Sequence, residues 1–208
     1  MPVRFQHEQY SNSIYFITFT CYKWLPLFQL TNAYDTVYKW FDHLNSNNIH
    51  VLGYVIMPNH VHVLLYLPKM EKSINTLVGN AKRFMAYEII KRLQKSKEEV
   101  ILDKLHSAVK KTEKKKGQIH KVFEDSFDAK ECYTEKFIFQ KLQYMHLNPV
   151  SKKWSLVNDY KDYQYSSAAF YEIGVSVNKL VHINDVIAGE IPGSPSAQSQ
   201  VVKTPVGQ

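Results

Sequence analysis

The spacing of apolar residues along this chain changes several times, and each change marks an element. Ser13–Tyr22 (SIYFITFTCY) is dense in β-branched and aromatic residues and predicts a strand. In Thr31–Leu44 the apolar residues Ala33, Val37, Trp40, Phe41 and Leu44 take helical spacing, with Thr31 or Asn32 as the expected cap. Ile49–Ile56 and His60–Leu67 read as two further strands. Between them, Met57-Pro58-Asn59 is turn chemistry: proline presets φ and asparagine tolerates the left-handed region. A tight antiparallel hairpin is expected there. Ser73–Leu93 returns to the helical period, with Ile74, Leu77, Val78, Ala81, Met85, Ile89 and Leu93 as its inner face.

Beyond it the pattern weakens. Lys95–Lys121 is lysine-dense (Lys110, Lys111, Lys114, Lys115, Lys116), and Val100, Ile101, Leu105 and Val109 predict a short amphipathic piece before a solvated loop. Val122–Tyr133 supplies a fourth strand with poor alternation. Thr134–Leu147 is helical again, opened by Thr134 with Glu135 in the first turn and ended before Pro149. The aromatic stretch Trp154–Tyr171 is expected to pack back on the body. The order β-α-β-β-α-β plus a helix predicts an α+β ferredoxin-like sandwich, an antiparallel β-sheet packed by helices. One domain is expected over residues 1–188, carrying the Lys95–Lys121 insertion. The Pro/Gly/Ser/Gln-rich stretch Gly189–Gln208 is expected to be a disordered C-terminal tail.

Composition narrows the class of partner. The chain has 208 residues, 45% of them hydrophobic, enough for a core. Its 26 Lys+Arg against 19 Asp+Glu give a formal charge of +7, which favours a polyanion, either nucleic acid or an acidic membrane surface. No apolar run approaches the ~20 residues of a membrane span, and no basic-then-apolar leader opens the chain. A soluble cytoplasmic protein, acting at the nucleoid and not at a membrane, is the expectation. Cys21 and Cys132 stand far apart without a CxxC, which argues against a disulfide framework or a zinc knot.

Two short runs carry chemistry. In a strand, His60 and His62 point to one face while Val61 points to the other, so the two imidazoles can chelate one divalent ion. A surface histidine pair would show the same spacing. In Tyr144-Met145-His146-Leu147-Asn148-Pro149-Val150, Tyr144 and Asn148 are four apart and share a helix face. A core tyrosine followed by a helix-stopping Asn-Pro would look alike.

Together, Ile56-Met57-Pro58-Asn59-His60-Val61-His62 and Tyr144–Val150 resemble the single-tyrosine HUH transposases, closest to the group associated with repetitive extragenic palindromes. Leu25-Pro26-Leu27-Phe28 and Asp162–Ala168 add to the similarity, which spans about Tyr15 to Tyr171. After Asn-Pro-Val, Ser151-Lys152-Lys153-Trp154 departs from the Arg-Ala-Gly-Leu-like continuation of many relatives.

The resemblance implies a DNA transposase, a metal-dependent single-strand endonuclease that cleaves and rejoins hairpin-bearing DNA through a 5′-phosphotyrosine. His60 and His62 would bind Mg²⁺ or Mn²⁺, with Asn148 as third ligand through its amide oxygen and His146 as the rival. Tyr144 would be the nucleophile. An unperturbed phenol ionises near pH 10, so about one part in a thousand is phenolate at pH 7 and assistance is needed. Lys82, Arg83, Lys141, Lys152 and Lys153 are candidate phosphate contacts, although a solvated basic face would present the same residues. The partner would be single-stranded or hairpin DNA. A homodimer that lends the tyrosine helix in trans is one arrangement among relatives. A domesticated DNA- or RNA-binding protein that keeps the fold and has lost cleavage is the alternative, against which the intact four-residue set speaks.

Overall fold

The alternation in the first strand separates two cores. In β1 (Ser13–Thr20), Tyr15, Ile17 and Phe19 enter one apolar cluster, and Ile14 and Phe16 enter another on the opposite face. The computed structural model describes residues 12–69, 73–175 and 180–190. After β1 come α1 (Leu27–Leu30), α2 (Tyr34–Ser46), β2 (His50–Met57), β3 (His60–Leu67) and α3 (Ile74–Lys95). Then follow α4 (Glu99–Ser107), α5 (Lys111–Lys114), β4 (Asp128–Glu131), α6 (Glu135–Leu147), α7 (Ala168–Ile173) and α8 (Ile183–Ile187).

The sheet has the order β2-β3-β1-β4, and every neighbouring pair is antiparallel. That is the ferredoxin-like arrangement. α2 and α3 cover one face, and α6 with the chain that follows it covers the other. The buried side of α3 is the set expected from its period, and Ser73 caps it by accepting from the Thr76 amide at 3.0 Å. In β2 the register jumps between Val51 and Gly53, a one-residue bulge that turns both Leu52 and Gly53 toward α6.

Several expectations need correction. Neither Thr31 nor Asn32 caps α2: the Thr31 hydroxyl donates back to the Leu27 carbonyl at 2.6 Å, closing α1, and α2 starts after Ala33. Asn59 stays out of the left-handed region, so its amide, not its backbone, explains its place in the turn. The fourth strand is only Asp128–Glu131, at the sheet edge, with a lone bridge between Cys21 and Phe123 before it. The lysine-rich stretch is not simply solvated. Leu105 and Val109 are buried, while Lys121 sits in the interior with its ammonium 2.6 Å from Asp125 Oδ1. α6 does end at Leu147, ahead of Pro149 as expected; what the pattern did not show is the 3-10 turn over Asn148–Val150 that follows, with Asn148 helical (φ −57, ψ −46) although proline disfavours that in its predecessor.

Trp154, Tyr163 and Tyr171 pack against the α6 face, as expected for the aromatic segment. Of the stretch expected to be a disordered tail, Gly189 and Glu190 close α8 through bonds to the Val186 and Asp185 carbonyls; the rest lies outside the described residues. No helix among the described residues is long and apolar enough to cross a membrane.

Candidate active site

The two-residue turn Pro58-Asn59 makes His60 the first residue of β3 and pairs it with Met57. His60, His62, Leu64 and Tyr66 then share the sheet face toward α6, and Val61 and Val63 enter the other core. The two imidazole centroids lie 4.7 Å apart. Both rings are buried at the floor of a cleft of about 590 Å³ between the sheet and α6.

The hydrogen bonds define the tautomers. Asn59 Nδ2 donates to the Trp24 carbonyl at 2.9 Å, which fixes the orientation of that amide. Its Oδ1 therefore faces His60 Nδ1 at 2.6 Å, and Nδ1 must carry the proton it donates. His62 Nδ1 lies 2.6 Å from the Thr18 hydroxyl, and Asn148 Nδ2 lies 3.2 Å from His62 Nε2. The second contact needs an acceptor at Nε2, so the Nδ1 hydrogen of His62 goes to Thr18. In this arrangement Nε2 is the unprotonated nitrogen of each ring, that of His62 accepting from Asn148 Nδ2. Burial, with the nearby charge of Lys153, pushes the His60 pKa down to about 4. Burial again, with His60 and Lys141 adding to it, pushes His62 down to about 3. Both rings are neutral at neutral pH, the form that binds metal.

Tyr144 and Asn148 come from the same face of α6 and the turn that extends it. The Tyr144 ring is 53% exposed, its centroid 5.4 Å from that of His62 and 6.2 Å from that of Phe16. One chain therefore brings the phenol to the imidazoles. Asn148 reaches His62 from above, and a half-turn of its amide would bring Oδ1 to the side where Nδ2 now lies. Two imidazole nitrogens and an amide oxygen suit a hard or borderline divalent cation with water completing its shell. Among the described residues no group of three or more His, Cys, Asp or Glu forms a metal-binding cluster, so a third protein ligand would have to be of another type. His146 turns away from the cleft: it is buried, with Nε2 2.9 Å from the Ser167 hydroxyl, and burial lowers its pKa to about 4.

No protein-family model and no curated protein matches the sequence. Among solved structures, a REP-associated tyrosine transposase bound to a REP hairpin matches with a TM-score of 0.51 and 15% identity, covering 99% of this chain and 96% of that one. The fold is that of a tyrosine transposase. At that identity it is the backbone that the two chains share.

On this scaffold the expected phosphate contacts scatter. Lys141 and Lys153 line the cleft, Lys141 Nζ standing 5.8 Å from the Tyr144 ring and Lys153 Nζ 4.2 Å over the Trp24 ring. Lys152 is exposed beside Lys153 without lining the cleft. Lys82 and Arg83 belong to α3, which packs on the opposite face of the sheet. Arg83 is exposed there, with its guanidinium 5.0 Å over Phe84. Lys82 is turned inward, its ammonium donating to the Glu124 carbonyl at 2.6 Å, and burial lowers its pKa to about 8. One of its three N–H donors is thus engaged within the chain, and its helix lies on the sheet face away from the cleft.

Sequence reasoning missed Thr18, Trp24, Asp128, Lys130 and Trp154 as parts of the cleft. Thr18 faces His62 through the β1–β3 register, a pairing that no local pattern announces.

Proposed function

We propose that this protein cleaves and rejoins single-stranded DNA next to a hairpin, with Tyr144 as nucleophile. The observation that carries this reading is the exposed phenol held 5.4 Å from His62, centroid to centroid, on the open side of the cleft. The phenolic oxygen attacks a backbone phosphorus and forms a phosphotyrosine ester. The bond from phosphorus to the 3′ oxygen breaks, the leaving oxygen takes a proton, and a 3′-hydroxyl results. Reversal by a 3′-hydroxyl rejoins DNA without an external energy source.

A divalent cation held by His60, His62 and Asn148, Mg²⁺ or Mn²⁺, would neutralise charge on a non-bridging phosphate oxygen. Asn59 and Thr18 orient the two rings, and Lys141 and Lys153 supply positive charge at the two ends of the cleft. The similar transposase was seen with a REP hairpin, which supports hairpin DNA as the substrate class. Nucleophile and imidazoles meet within one chain, so we place the reaction in cis.

The test is covalent capture. Wild-type protein, a hairpin oligonucleotide with a single-stranded flank, and Mg²⁺ or Mn²⁺ should give a protein–DNA adduct that survives denaturation. Tyr144→Phe should bind the same oligonucleotide and give none; an adduct of normal yield from that variant would remove Tyr144 from its role. Mixing His60→Ala with Tyr144→Phe should not restore cleavage, and restoration would mean that sites are shared between chains. Binding by wild type without any adduct in either metal would instead favour a non-cleaving binding protein.

A further inference from the structure

Trp24 is oddly placed for a tryptophan. It is 53% exposed, and both it and Lys23 have positive φ, 57° and 48°. Bulky residues avoid that region, and where they occupy it the surroundings must hold them there. The holding contacts are visible. The Trp24 carbonyl accepts from Asn59 Nδ2 at 2.9 Å, and the Lys23 amide donates to Glu124 Oε1 at 2.7 Å. The same Asn59 amide orients His60. The strained turn is therefore latched to the strand that carries both histidines, and its half-exposed indole lines the cleft.

The rings around the imidazoles form a sequence. Tyr144 packs on His62 with centroids 5.4 Å apart, and Trp24 packs on His60 at 5.6 Å, so the histidine pair lies between the phenol and the indole. Each end carries a lysine over aromatic rings. Lys141 Nζ is 5.0 Å from the Phe16 centroid at the tyrosine end. At the other end Lys153 Nζ is 4.2 Å from Trp24 and 5.3 Å from Trp154. Trp154 also flanks His60, at 5.7 Å.

We propose that Trp24, with Lys153 and Trp154, is the binding site for one unpaired nucleobase, that of the nucleotide immediately 5′ of the scissile phosphate. This assignment rests on the cleavage reading above. In an in-line displacement the attacking and leaving oxygens lie on opposite sides of phosphorus. With the nucleophile at the His62 end, the leaving 3′ oxygen and its sugar lie toward the His60 end, where the indole stands. Stacking on an aromatic face accepts any base, and the adjacent ammonium suits the backbone that accompanies it. The role that follows is retention. After cleavage the upstream strand is joined to the protein by no covalent bond, and a stacked terminal base keeps its 3′-hydroxyl beside the phosphotyrosine for rejoining.

The test walks a single abasic site along the unpaired flank of a hairpin oligonucleotide. Binding is measured to full-length Tyr144→Phe protein, with Trp24 intact or changed to Ala, in Mg²⁺. At one position the missing base should weaken binding by roughly 5- to 150-fold when Trp24 is present and by almost nothing when it is absent. Trp24→Phe should restore part of the dependence, which a collapsed turn would not allow. Adduct mapping with wild-type protein should place that position directly 5′ of the cut, and Trp24→Ala should accumulate adduct while losing rejoined product. A walk in which no position couples to Trp24 overturns the proposal, and so does a coupled position on the 3′ side of the cut. A coupled position in a protein that forms no adduct leaves the base site standing and removes the cleavage reading and, with it, the assignment to a scissile phosphate.

Discussion

Gly53 decides how closely α6, the helix that carries the proposed nucleophile, can approach the sheet. It lies on the bulge of β2, and a Cβ added there would be 2.6 Å from Leu142 Cδ1, 3.3 Å from Met145 Cε and 3.4 Å from the Ser167 hydroxyl. Carbon atoms settle at roughly 3.5–4.0 Å, so Gly53→Ala overlaps Leu142 by about 1 Å. The Leu142 tip can swing, but Leu142 is buried among Ile138, Met145 and Leu52, which leaves it little room. Either that side chain leaves its rotamer or α6 lifts. Overpacking of this kind costs about 1–3 kcal/mol. For a chain of this size, each kcal/mol lowers the Tm by roughly 2–4 °C. If α6 lifts, Tyr144, two residues along from Leu142, moves away from His62, and a displacement near 1 Å costs up to ~100-fold in rate. The assay pairs thermal unfolding with single-turnover adduct formation for Gly53→Ala, Leu142→Ala and the double variant. Removing the Leu142 tip should relieve the clash, so the double variant should be more stable than the two single effects predict and should recover adduct rate. A Gly53→Ala protein with the wild-type Tm and rate would refute the idea that close approach at this glycine positions the helix.

Other outcomes follow from the same geometry. Asn59→Ala and Thr18→Val, which release His60 Nδ1 and His62 Nδ1, should each weaken Mn²⁺ binding by about 10- to 100-fold in calorimetry; unchanged affinity would remove these residues as ring orienters. His60, His62 and His146 are all held neutral by burial, with pKa values near 4, 3 and 4 against an ordinary value near 6.5. Between those limits the unfolded chain binds protons that the folded chain refuses. Metal-free protein is therefore most stable above about pH 6.5 and loses stability as pH falls toward 4, with a slope approaching roughly 4 kcal/mol per pH unit. Urea unfolding in chelator across that range checks this, and a flat profile down to pH 4.5 would contradict it. Lys141→Ala and Lys153→Ala should each reduce the salt dependence of single-strand binding by about 0.7 in the log–log slope, and Lys82→Ala should leave it unchanged. A Lys82 variant with the larger loss would overturn the placement of the DNA on the α6 face.

How much could be read in advance depended on the range of the contact involved. The inner face of α3 and the shared face of His60 and His62 are set by local periodicity, and the structure keeps both. The pairing of Tyr144 with His62 was legible only because two local patterns were read together; neither one contains the other. Thr18, Asn59 and Trp24 were opaque for a physical reason. Their work is done by hydrogen bonds and ring contacts across the β1–β3 register and across the turn that follows β1, and periodicity carries no trace of those. Thr31 misled because the same hydroxyl that can cap a helix also bonds back to a carbonyl four residues earlier. Lys121 misled because a lysine in a charged run is usually wet, whereas this one reaches an acidic partner inside the protein. The short β4 was hard to bound because Asp128 and Lys130 are edge residues facing solvent.

The hairpin between β2 and β3 makes the site a matter of arithmetic. Only Pro58 and Asn59 separate Met57 from its partner His60, and β1 fixes the other edge through Thr18 opposite His62. An insertion or deletion of one residue there would rotate the whole strand by half a turn, sending both imidazoles into the α2–α3 core and leaving Val61 and Val63 to line the cleft. Between α3 and β4, by contrast, the exposed residues 114–119 could grow or shrink in number without displacing either imidazole. Variation in length should thus accumulate on the lysine-rich side of the molecule, while the hairpin stays the same size to the residue.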